Sequence, residues 1–232
     1  LFSLFAFVVI PLVGLAAVYG APITINNPEP AVEDRFGHSV SIDGNKFIVG
    51  APFKGLAGLY EVGSVYLYEA TTGTLLHTFN NPTPAQGERF GESISISGNN
   101  GLIGGSNDTY TQLAGSVYLY DATTGVLIQT FNNPTPSSID RFGSVVSISG
   151  DKVLIGASGL NVAGYYGAGG VHLYDATTGV LLRTLKNPIP WAYEYDSFGA
   201  SVSMSGDEIL IGVPGKTAGG QNDAGLAYLF NE

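Results

Sequence analysis

One unit recurs four times along this chain, and each copy opens with a Phe-Gly pair. The pairs follow one another at intervals of 52 to 56 residues, at Phe36, Phe90, Phe142 and Phe198. A second shared block reads GSVYLYEATTG in the first copy, and its four occurrences, the last of them shortened, begin at Gly63, Gly115, Gly169 and Gly225. Self-similarity at such a period indicates a repeat architecture, in which each copy needs its neighbours to bury its apolar surface.

Each copy of the repeat predicts four short β-strands. In the first copy the β-branched and aromatic runs HSVSI, KFIVG, SVYLY and TLLHTF are separated by clusters of Gly, Asn and Asp. Asp43-Gly44-Asn45 and Thr71-Thr72-Gly73 are typical of hairpin turns, in which Gly or Asn adopts a positive φ. The third strand is apolar on both faces, as expected for a sheet that has a neighbour on each side.

Four-stranded units that cover each other's faces are the blades of a β-propeller. We therefore predict an all-β fold for residues 22–232, a four-bladed β-propeller of four-stranded blades that begin near residues 36, 90, 142 and 198. One apolar N-terminal α-helix over residues 1–21 is predicted to precede it.

The fourth copy lacks its last strand, and residues 22–30 carry an orphan copy of that strand. Thr24-Ile25-Asn26 aligns with Thr78-Phe79-Asn80 of the first copy. We expect residues 22–30 to complete the fourth blade and close the ring, because closure removes exposed sheet edges. The alternative is that they complete the fourth blade of a neighbouring subunit by strand addition.

Residues 22–232 resemble the FG-GAP-type repeats of extracellular proteins. The likeness lies in the Phe-Gly pairs, in Val49-Gly50-Ala51-Pro52, and in the YLYDATTG and NNPTP blocks. It implies an extracellular β-propeller. Integrin α-subunits carry a related repeat with calcium loops, but this chain has no Asp-x-Asp-x-Asp-Gly run, so a calcium site is not implied. Seven blades are more usual in that family, and the orphan strand favours a complete four-bladed ring over a fragment.

Residues 1–21 are apolar, and the first formal charge in the chain is Glu29. A helix of this length rises about 30 Å, which matches the hydrocarbon core of a bilayer. Three interpretations compete: a cleaved secretory signal, a single membrane anchor, and a helix retained after processing just before Leu1. The third is preferred, because the segment resembles the N-terminal helix of type IV pilins, which packs with its copies in a filament core.

The resemblance to pilins departs from the bacterial pattern at Phe5, where that family carries Glu, so the likeness is to archaeal-type pilins. It implies assembly through an apolar helix that lies in the membrane before assembly. The aromatic insertion WAYEYD in the last connection is expected to contact the helix or an adjacent subunit. The residues predicted to mediate assembly are Leu1, Phe5, Phe7, Pro11, Leu15, Trp191 and Tyr193.

Composition excludes several functional classes. With 9 Lys+Arg against 19 Asp+Glu the net charge is −10, which disfavours nucleic acid as a partner. The chain has no cysteine, so a thiol nucleophile and a thiolate metal site are excluded. His38, His77 and His172 occupy three different repeat positions and do not indicate a shared metal site. We therefore predict no catalytic, cofactor-binding or metal-ligating residue, and no enzyme.

Four carboxylates share one repeat position, two residues before each Phe-Gly pair: Asp34, Glu88, Asp140 and Asp196. Repeat symmetry would arrange them in a ring, where a cation on the axis is one interpretation. Local pairing with the next residue, which is Arg35, Arg89 or Arg141 in three copies, is preferred.

The loops between the second and third strands differ between copies, and variable loops on one face are the best candidates for ligand binding. Tyr110, Tyr165 and Tyr166 lie in these loops and could contact sugars or proteins. Asn107 begins the Asn-x-Ser/Thr glycosylation motif with a permitted middle residue and is a predicted glycosylation site.

Two functions follow from these observations. The preferred prediction is a structural subunit of an extracellular cell-surface filament, a helical homopolymer held by the N-terminal helix and displaying a propeller with an adhesive role. The alternative is a membrane-tethered extracellular propeller that binds a glycan or a protein through its variable loops.

Overall fold

The computed structural model describes residues 21–105, 115–190 and 195–231, and these residues form an all-β architecture. Each copy of the repeat forms one antiparallel sheet, in which consecutive strands are neighbours. The four sheets are consistent with the blades of a β-propeller and are called blades 1 to 4. The four strands predicted for the first copy are confirmed.

Blades 1 to 3 have four strands each and blade 4 has three. Blade 1 comprises β1 (Ser39–Asp43), β2 (Lys46–Ala51), β3 (Ser64–Glu69) and β4 (Leu75–Asn80). Blade 2 comprises β5 (Phe90–Ser97), β6 (Asn100–Gly105), β7 (Ser116–Asp121) and β8 (Leu127–Asn132). Blade 3 comprises β9 (Phe142–Ser149), β10 (Lys152–Ala157), β11 (Gly170–Asp175) and β12 (Leu181–Lys186), preceded by a 3₁₀ turn at Ser138–Asp140. Blade 4 comprises β13 (Ser201–Ser205), β14 (Glu208–Val213) and β15 (Leu226–Asn231).

The short hairpin turns and the long connections lie at opposite ends of each blade. In blade 1 the β1–β2 turn pairs Asp43 with Lys46, and its Gly44 has φ of +54°. The second tight turn, between β3 and β4, contains Gly73 with φ of +70°. Antiparallel pairing then places the β2–β3 loop and the connection to the next blade together at the other end, called the loop end.

The core lies between consecutive blades, and the third strands are buried on both faces. Tyr66 and Leu67 are adjacent in β3 and point to opposite faces, yet neither is exposed. A Cβ on Gly50 would lie 2.3 Å from the carbonyl oxygen of Gly91 in the next blade, so the close approach of the two backbones requires glycine there. This arrangement confirms that the sheets stack on one another.

Blade 4 does not pack on blade 1, which differs from the predicted ring. Val40 and Ile42 of blade 1 are 70% and 68% exposed, whereas the equivalent Ile94 and Ile96 of blade 2 are 8% and 5% exposed because blade 1 covers them. Residues 22–30 form no strand, and the fourth sheet keeps three strands among the described residues. The rotation from blade 1 to blade 4 does not bring β15 beside residues 22–30. This segment packs over blade 1 instead.

Residues 1–20 lie outside the described residues, so the helix predicted there, with Leu1, Phe5, Phe7, Pro11 and Leu15, stays a prediction. The part of the chain that the structure describes contains no helix with the length and apolar character needed to span a membrane.

Candidate functional site

A cavity of about 370 Å³ opens at the loop end between blades 3 and 4. It lies between the β10–β11 loop, the connection that leads into blade 3, and the connection that leads into blade 4. Its lining residues are Ile139, Arg141, Ser158, Gly159, Tyr166, Gly167, Tyr195 and Ser197. We call this cavity the loop groove.

The same place between blades 1 and 2 is filled by an aromatic side chain. The guanidinium carbon of Arg35 lies 3.9 Å from the centroid of the Phe53 ring, and that of Arg89 lies 4.9 Å from it. Arg89 is held there by an ion pair of 2.8 Å with Glu61 of the β2–β3 loop. Cation–π attraction and the ion pair together close the loop end at this junction.

We call the contact between blades 1 and 2 the first junction and the contact between blades 3 and 4 the third junction. The residues that close the first junction are replaced by small or polar residues at the third junction. Gly159 takes the place of Phe53, Ser197 that of Arg89, and Gly167 that of Glu61. Arg141 is equivalent to Arg35, but its guanidinium stacks on no aromatic ring of the described residues. The loop groove is therefore open because the side chains that fill the equivalent place between blades 1 and 2 are missing here.

Two exposed tyrosines flank the loop groove. Tyr166 is 64% exposed and Tyr195 is 73% exposed. The Tyr195 ring lies directly over Gly167, where any Cβ would come 2.2 Å from its Cδ1 atom. Arg141 is exposed, and no hydrogen bond or ion pair joins its side chain to the described part of the chain. The groove therefore offers aromatic faces and a guanidinium to a ligand.

A second cavity of about 490 Å³ shares Ile139 and Tyr166 with the loop groove and extends it toward β11. It reaches His172, which is 1% exposed and whose Nδ1 lies 3.1 Å from Thr184 Oγ1. Its Nε2 has no hydrogen-bond partner among the described residues. Burial, with a smaller contribution from the charge of Lys186, lowers the pKa of His172 to about 4, so the ring is neutral at pH 7.

At this cavity His172 stands where the other three blades carry a tyrosine. In blade 2 the equivalent Tyr118 lines a smaller cavity of about 270 Å³, and its hydroxyl lies 2.8 Å from Thr83 Oγ1 in the preceding connection. The corresponding Thr135 lines the cavity in blade 3. The sequence had shown that His172 breaks the repeat, but not that the shorter side chain leaves space beside it.

The four repeated carboxylates are bonded within their own connections. In each blade an oxygen accepts a hydrogen bond from the Asn side chain of the preceding Asn-Pro pair. The donors are Asn27 for Asp34, Asn81 for Glu88, Asn133 for Asp140 and Asn187 for Asp196. The preferred prediction of a local role agrees with this, but the partner is asparagine rather than the neighbouring arginine, because Arg35 and Arg89 turn toward Phe53.

One of these carboxylates forms a buried ion pair at the third junction. Asp196 is fully buried, and its Oδ2 lies 3.0 Å from Nζ of Lys216 in the β14–β15 loop, which is itself 5% exposed. Of the four repeated carboxylates, Glu88 and Asp140 have a pKa that burial raises. Within the described ranges no group of three or more His, Asp or Glu side chains is placed to hold a metal ion.

Several residues singled out from the sequence do not meet in the structure. His38 lies beside Phe53 and His77 contacts Thr123 O of blade 2, so the three histidines are apart. Asn107, Tyr110, Trp191 and Tyr193 lie outside the described residues and stay predictions. Arg141 was not singled out from the sequence as a residue of the groove, although the change from Phe53 to Gly159 was visible in the repeat alignment.

Comparison with known families supports the repeat assignment. The model of the FG-GAP repeat family matches residues 25–68 and 192–230, which cover parts of the first and fourth copies. No curated protein matches the chain. FG-GAP repeats typically occur in extracellular or cell-surface proteins. FG-GAP repeats are therefore found at both ends of the repeat region, and the β-sheets of the chain are consistent with a propeller.

Proposed function

We propose that this chain is an extracellular cell-surface module that binds an acidic glycan in the loop groove. The observation that carries the proposal is the empty place between blades 3 and 4 that Phe53 fills between blades 1 and 2. A pyranose ring has the size and the apolar C–H face to occupy that place. Tyr166 and Tyr195 would cover it in the way that exposed aromatic rings bind amphipathic ligands.

The charge of the ligand follows from Arg141. Its guanidinium can donate two parallel hydrogen bonds to a carboxylate, which favours a uronic acid over a neutral sugar. The protein as a whole carries a net charge of −10, so long-range repulsion weakens the binding of a polyanion to a single copy. Many copies on one surface would restore strong attachment through avidity, which agrees with an adhesive role.

Binding is tested by calorimetry with a galacturonate hexamer and, as the neutral comparison, maltohexaose. Arg141→Ala should raise the Kd for the hexamer about 10-fold or more, since hydrogen bonds to charged groups contribute about 1.5–3 kcal/mol. Tyr166→Ala should weaken binding to the same order. The matched control is Tyr60→Ala, because Tyr60 is the equivalent residue of the β2–β3 loop, is exposed like Tyr166, and lies outside the groove.

Equal binding of the acidic and the neutral hexamer would overturn the assignment of charge. Loss of binding in Tyr60→Ala as large as in Tyr166→Ala would overturn the location.

A filament subunit is the second candidate, favoured by the charge-free segment at residues 1–21. It would assemble through Leu1, Phe5, Phe7, Pro11 and Leu15, with Trp191 and Tyr193 as lateral contacts. Electron microscopy of detergent-free extracellular material should then show filaments that disappear when residues 1–21 are deleted. Dispersed or membrane-bound particles of the full chain would contradict it.

A further inference from the structure

The second cavity, which extends the loop groove toward β11, has on its wall a buried carboxylate that pairs with no cation of the described residues. Asp140 is 3% exposed and lines the cavity. It accepts a hydrogen bond of 3.1 Å from the Asn133 side chain and forms no ion pair with the described part of the chain. Burial raises the pKa of Asp140, and side-chain hydrogen bonds from Asn133 and Thr135 offset this only in part. The cavity therefore presents a desolvated carboxylate to a ligand.

In blades 1 and 4 a lysine ammonium occupies the equivalent place. Lys54 and Lys216 share one repeat position, in the β2–β3 and β14–β15 loops, and both are buried. Nζ of Lys54 donates to Glu29 O at 3.1 Å and pairs with Glu29 Oε2 at 3.1 Å. Nζ of Lys216 donates to Ile189 O and pairs with Asp196 Oδ2 at 3.0 Å. In both blades the ammonium thus binds a carboxylate and the carbonyl oxygen of the residue that follows the Asn-Pro pair.

Blade 3 lacks this lysine. Leu160 stands at the position, is 6% exposed and lines the second cavity. The backbone N–H of Leu160, like that of Lys54, donates to the carbonyl of the third residue before it, so the two loops take the same path here. The residue that follows the Asn-Pro pair is Thr135, which also lines the cavity. The blade 2 residue at the lysine position, Asp108, lies outside the described residues. In blade 3 the groups that bind an ammonium in blades 1 and 4 therefore lie beside a cavity.

The wall of the cavity carries a further acceptor. His172 stands where blade 1 has Tyr66, which lies beside the Lys54 ammonium. His172 is 1% exposed, and its Nε2 has no hydrogen-bond partner among the described residues. When Nδ1–H donates to Thr184 Oγ1, at 3.1 Å, Nε2 of the neutral ring is an acceptor. A primary ammonium has three donor hydrogens, as many as the acceptors offered by the carboxylate, the Thr135 carbonyl and the imidazole.

Lys186 also lines the cavity, and its charge opposes a second cation there. Its side chain is exposed, so water and salt screen its charge more than they screen a buried carboxylate. The attraction by Asp140 therefore exceeds the repulsion by Lys186.

We propose that the second cavity binds the primary ammonium group of an amino sugar in the place that a lysine ammonium occupies in blades 1 and 4. A cavity of about 490 Å³ has room for a pyranose ring as well as its amino group. The choice of a sugar rests on the proposed function, because the cavity shares Ile139 and Tyr166 with the loop groove. The two cavities then hold neighbouring residues of one glycan, a uronic acid and a hexosamine with a free amino group.

Binding to the full chain in mild detergent is measured by NMR titration with glucosamine and with N-acetylglucosamine, which lacks the charge on the nitrogen. Glucosamine should bind about 10-fold or more tightly at a pH where its amine is protonated, because charge-assisted hydrogen bonds are the stronger ones. Leu160→Lys supplies the lysine of blades 1 and 4, and its own ammonium should raise the Kd for glucosamine about 10-fold or more. The matched control is Val126→Lys, which adds the same charge in the exposed β7–β8 turn and should leave the Kd unchanged.

Asp140→Asn gives a second test that does not depend on the folding of Leu160→Lys. The amide keeps an acceptor for the Asn133 side chain but removes the charge. The preference for glucosamine over N-acetylglucosamine should therefore disappear in this variant.

Nitrogen NMR of the imidazole rings gives a local readout. Glucosamine should shift the Nε2 signal of His172, which is assigned by its loss in His172→Tyr. The signals of His38 and His77 should stay in place, because neither residue lines the cavity. A protonated Nε2 in the complex would show that the amine does not donate to His172.

Equal binding of glucosamine and N-acetylglucosamine would overturn the proposal, as would glucosamine binding that survives both Leu160→Lys and Asp140→Asn. Tighter binding of N-α-acetyl-lysine amide than of glucosamine would overturn the choice of a sugar and indicate a protein side chain. Failure of the proposed function is separate, because it is read from the galacturonate hexamer and Arg141→Ala. Hexamer binding without glucosamine binding would overturn only the present inference.

Discussion

The junction between blades 1 and 2 and the junction between blades 3 and 4 share one backbone plan but are completed differently. At the first, Phe53 lies between two guanidiniums and Glu61 pairs with Arg89, so the loop end is closed. At the third, glycines stand at the positions of Phe53 and Glu61, and the loop groove is open. The difference teaches that the repeat supplies a fixed frame, and that side chains which depart from the repeat decide where a ligand can enter.

The largest expected effect concerns the buried ion pair of the third junction. Asp196→Ala should lower the free energy of unfolding by about 3–5 kcal/mol, because it leaves the Lys216 ammonium buried without its carboxylate. The matched comparison is Glu29→Ala, which breaks the ion pair of Lys54, the equivalent lysine of blade 1. Glu29 is largely exposed, so that loss should be about 0–1 kcal/mol. Urea denaturation measures both, and equal losses would contradict the difference in burial.

A smaller effect is expected at His172, and it depends on pH. The pKa of His172 is about 4 in the folded chain and about 6.5 when unfolded, so below pH 6.5 the unfolded state binds a proton that the folded state does not. The stability that His172 contributes is therefore complete above pH 6.5. Below pH 6.5 it decreases by about 1.4 kcal/mol for each pH unit, and the total loss is about 3 kcal/mol near pH 4.

Replacing His172 by the tyrosine of blade 2 isolates this effect. His172→Tyr should fill the second cavity, reach toward Thr135, and remove the loss of stability between pH 6.5 and pH 4. The difference in free energy of unfolding between His172→Tyr and the unsubstituted chain, measured at several pH values, cancels the contributions of Glu88 and Asp140. A difference that does not change with pH would show that folding does not lower the pKa of His172.

The smallest effect is expected when the first junction is made to resemble the third. Phe53→Ala should cost about 1–2 kcal/mol, because it removes a half-buried ring and leaves Arg35 and Arg89 without the π face that they share. Tyr166→Ala, which removes an exposed ring at the open junction, should stay within about 0.5 kcal/mol. Thermal unfolding compares the two, and a larger loss in Tyr166→Ala would show that the groove is part of the core.

Much of the fold could be predicted from local patterns. The strands, the hairpin turns at Gly44 and Gly73, and the burial of both faces of β3 follow from alternation and turn chemistry within a single copy. The placement of residues 22–30 could not be predicted, because the alignment of Ile25 with Phe79 identifies the strand but not the blade it joins. Which blade the segment joins depends on the angle by which each blade is rotated relative to the preceding blade.

The candidate site was only partly predictable. The variable loops stood out because they differ between the copies, and Tyr166 stood out because it lies in one of them. The sequence did not reveal that Gly159, Gly167 and Ser197 meet in one place, since they come from two separate connections. The sequence also did not show that the repeated carboxylates accept hydrogen bonds from asparagine side chains, because several donors lie at similar separations along the chain.

By itself the sequence determined that this chain is an all-β array of four FG-GAP-like blades, since alternating apolar residues and glycine turns act over a few residues and need no distant partner. Only the tertiary structure decided that blade 4 stays apart from blade 1 and that a groove opens between blades 3 and 4. Both depend on distances between residues far apart in the chain, which are set by the rotation between stacked sheets and by the volume of the side chains at each junction.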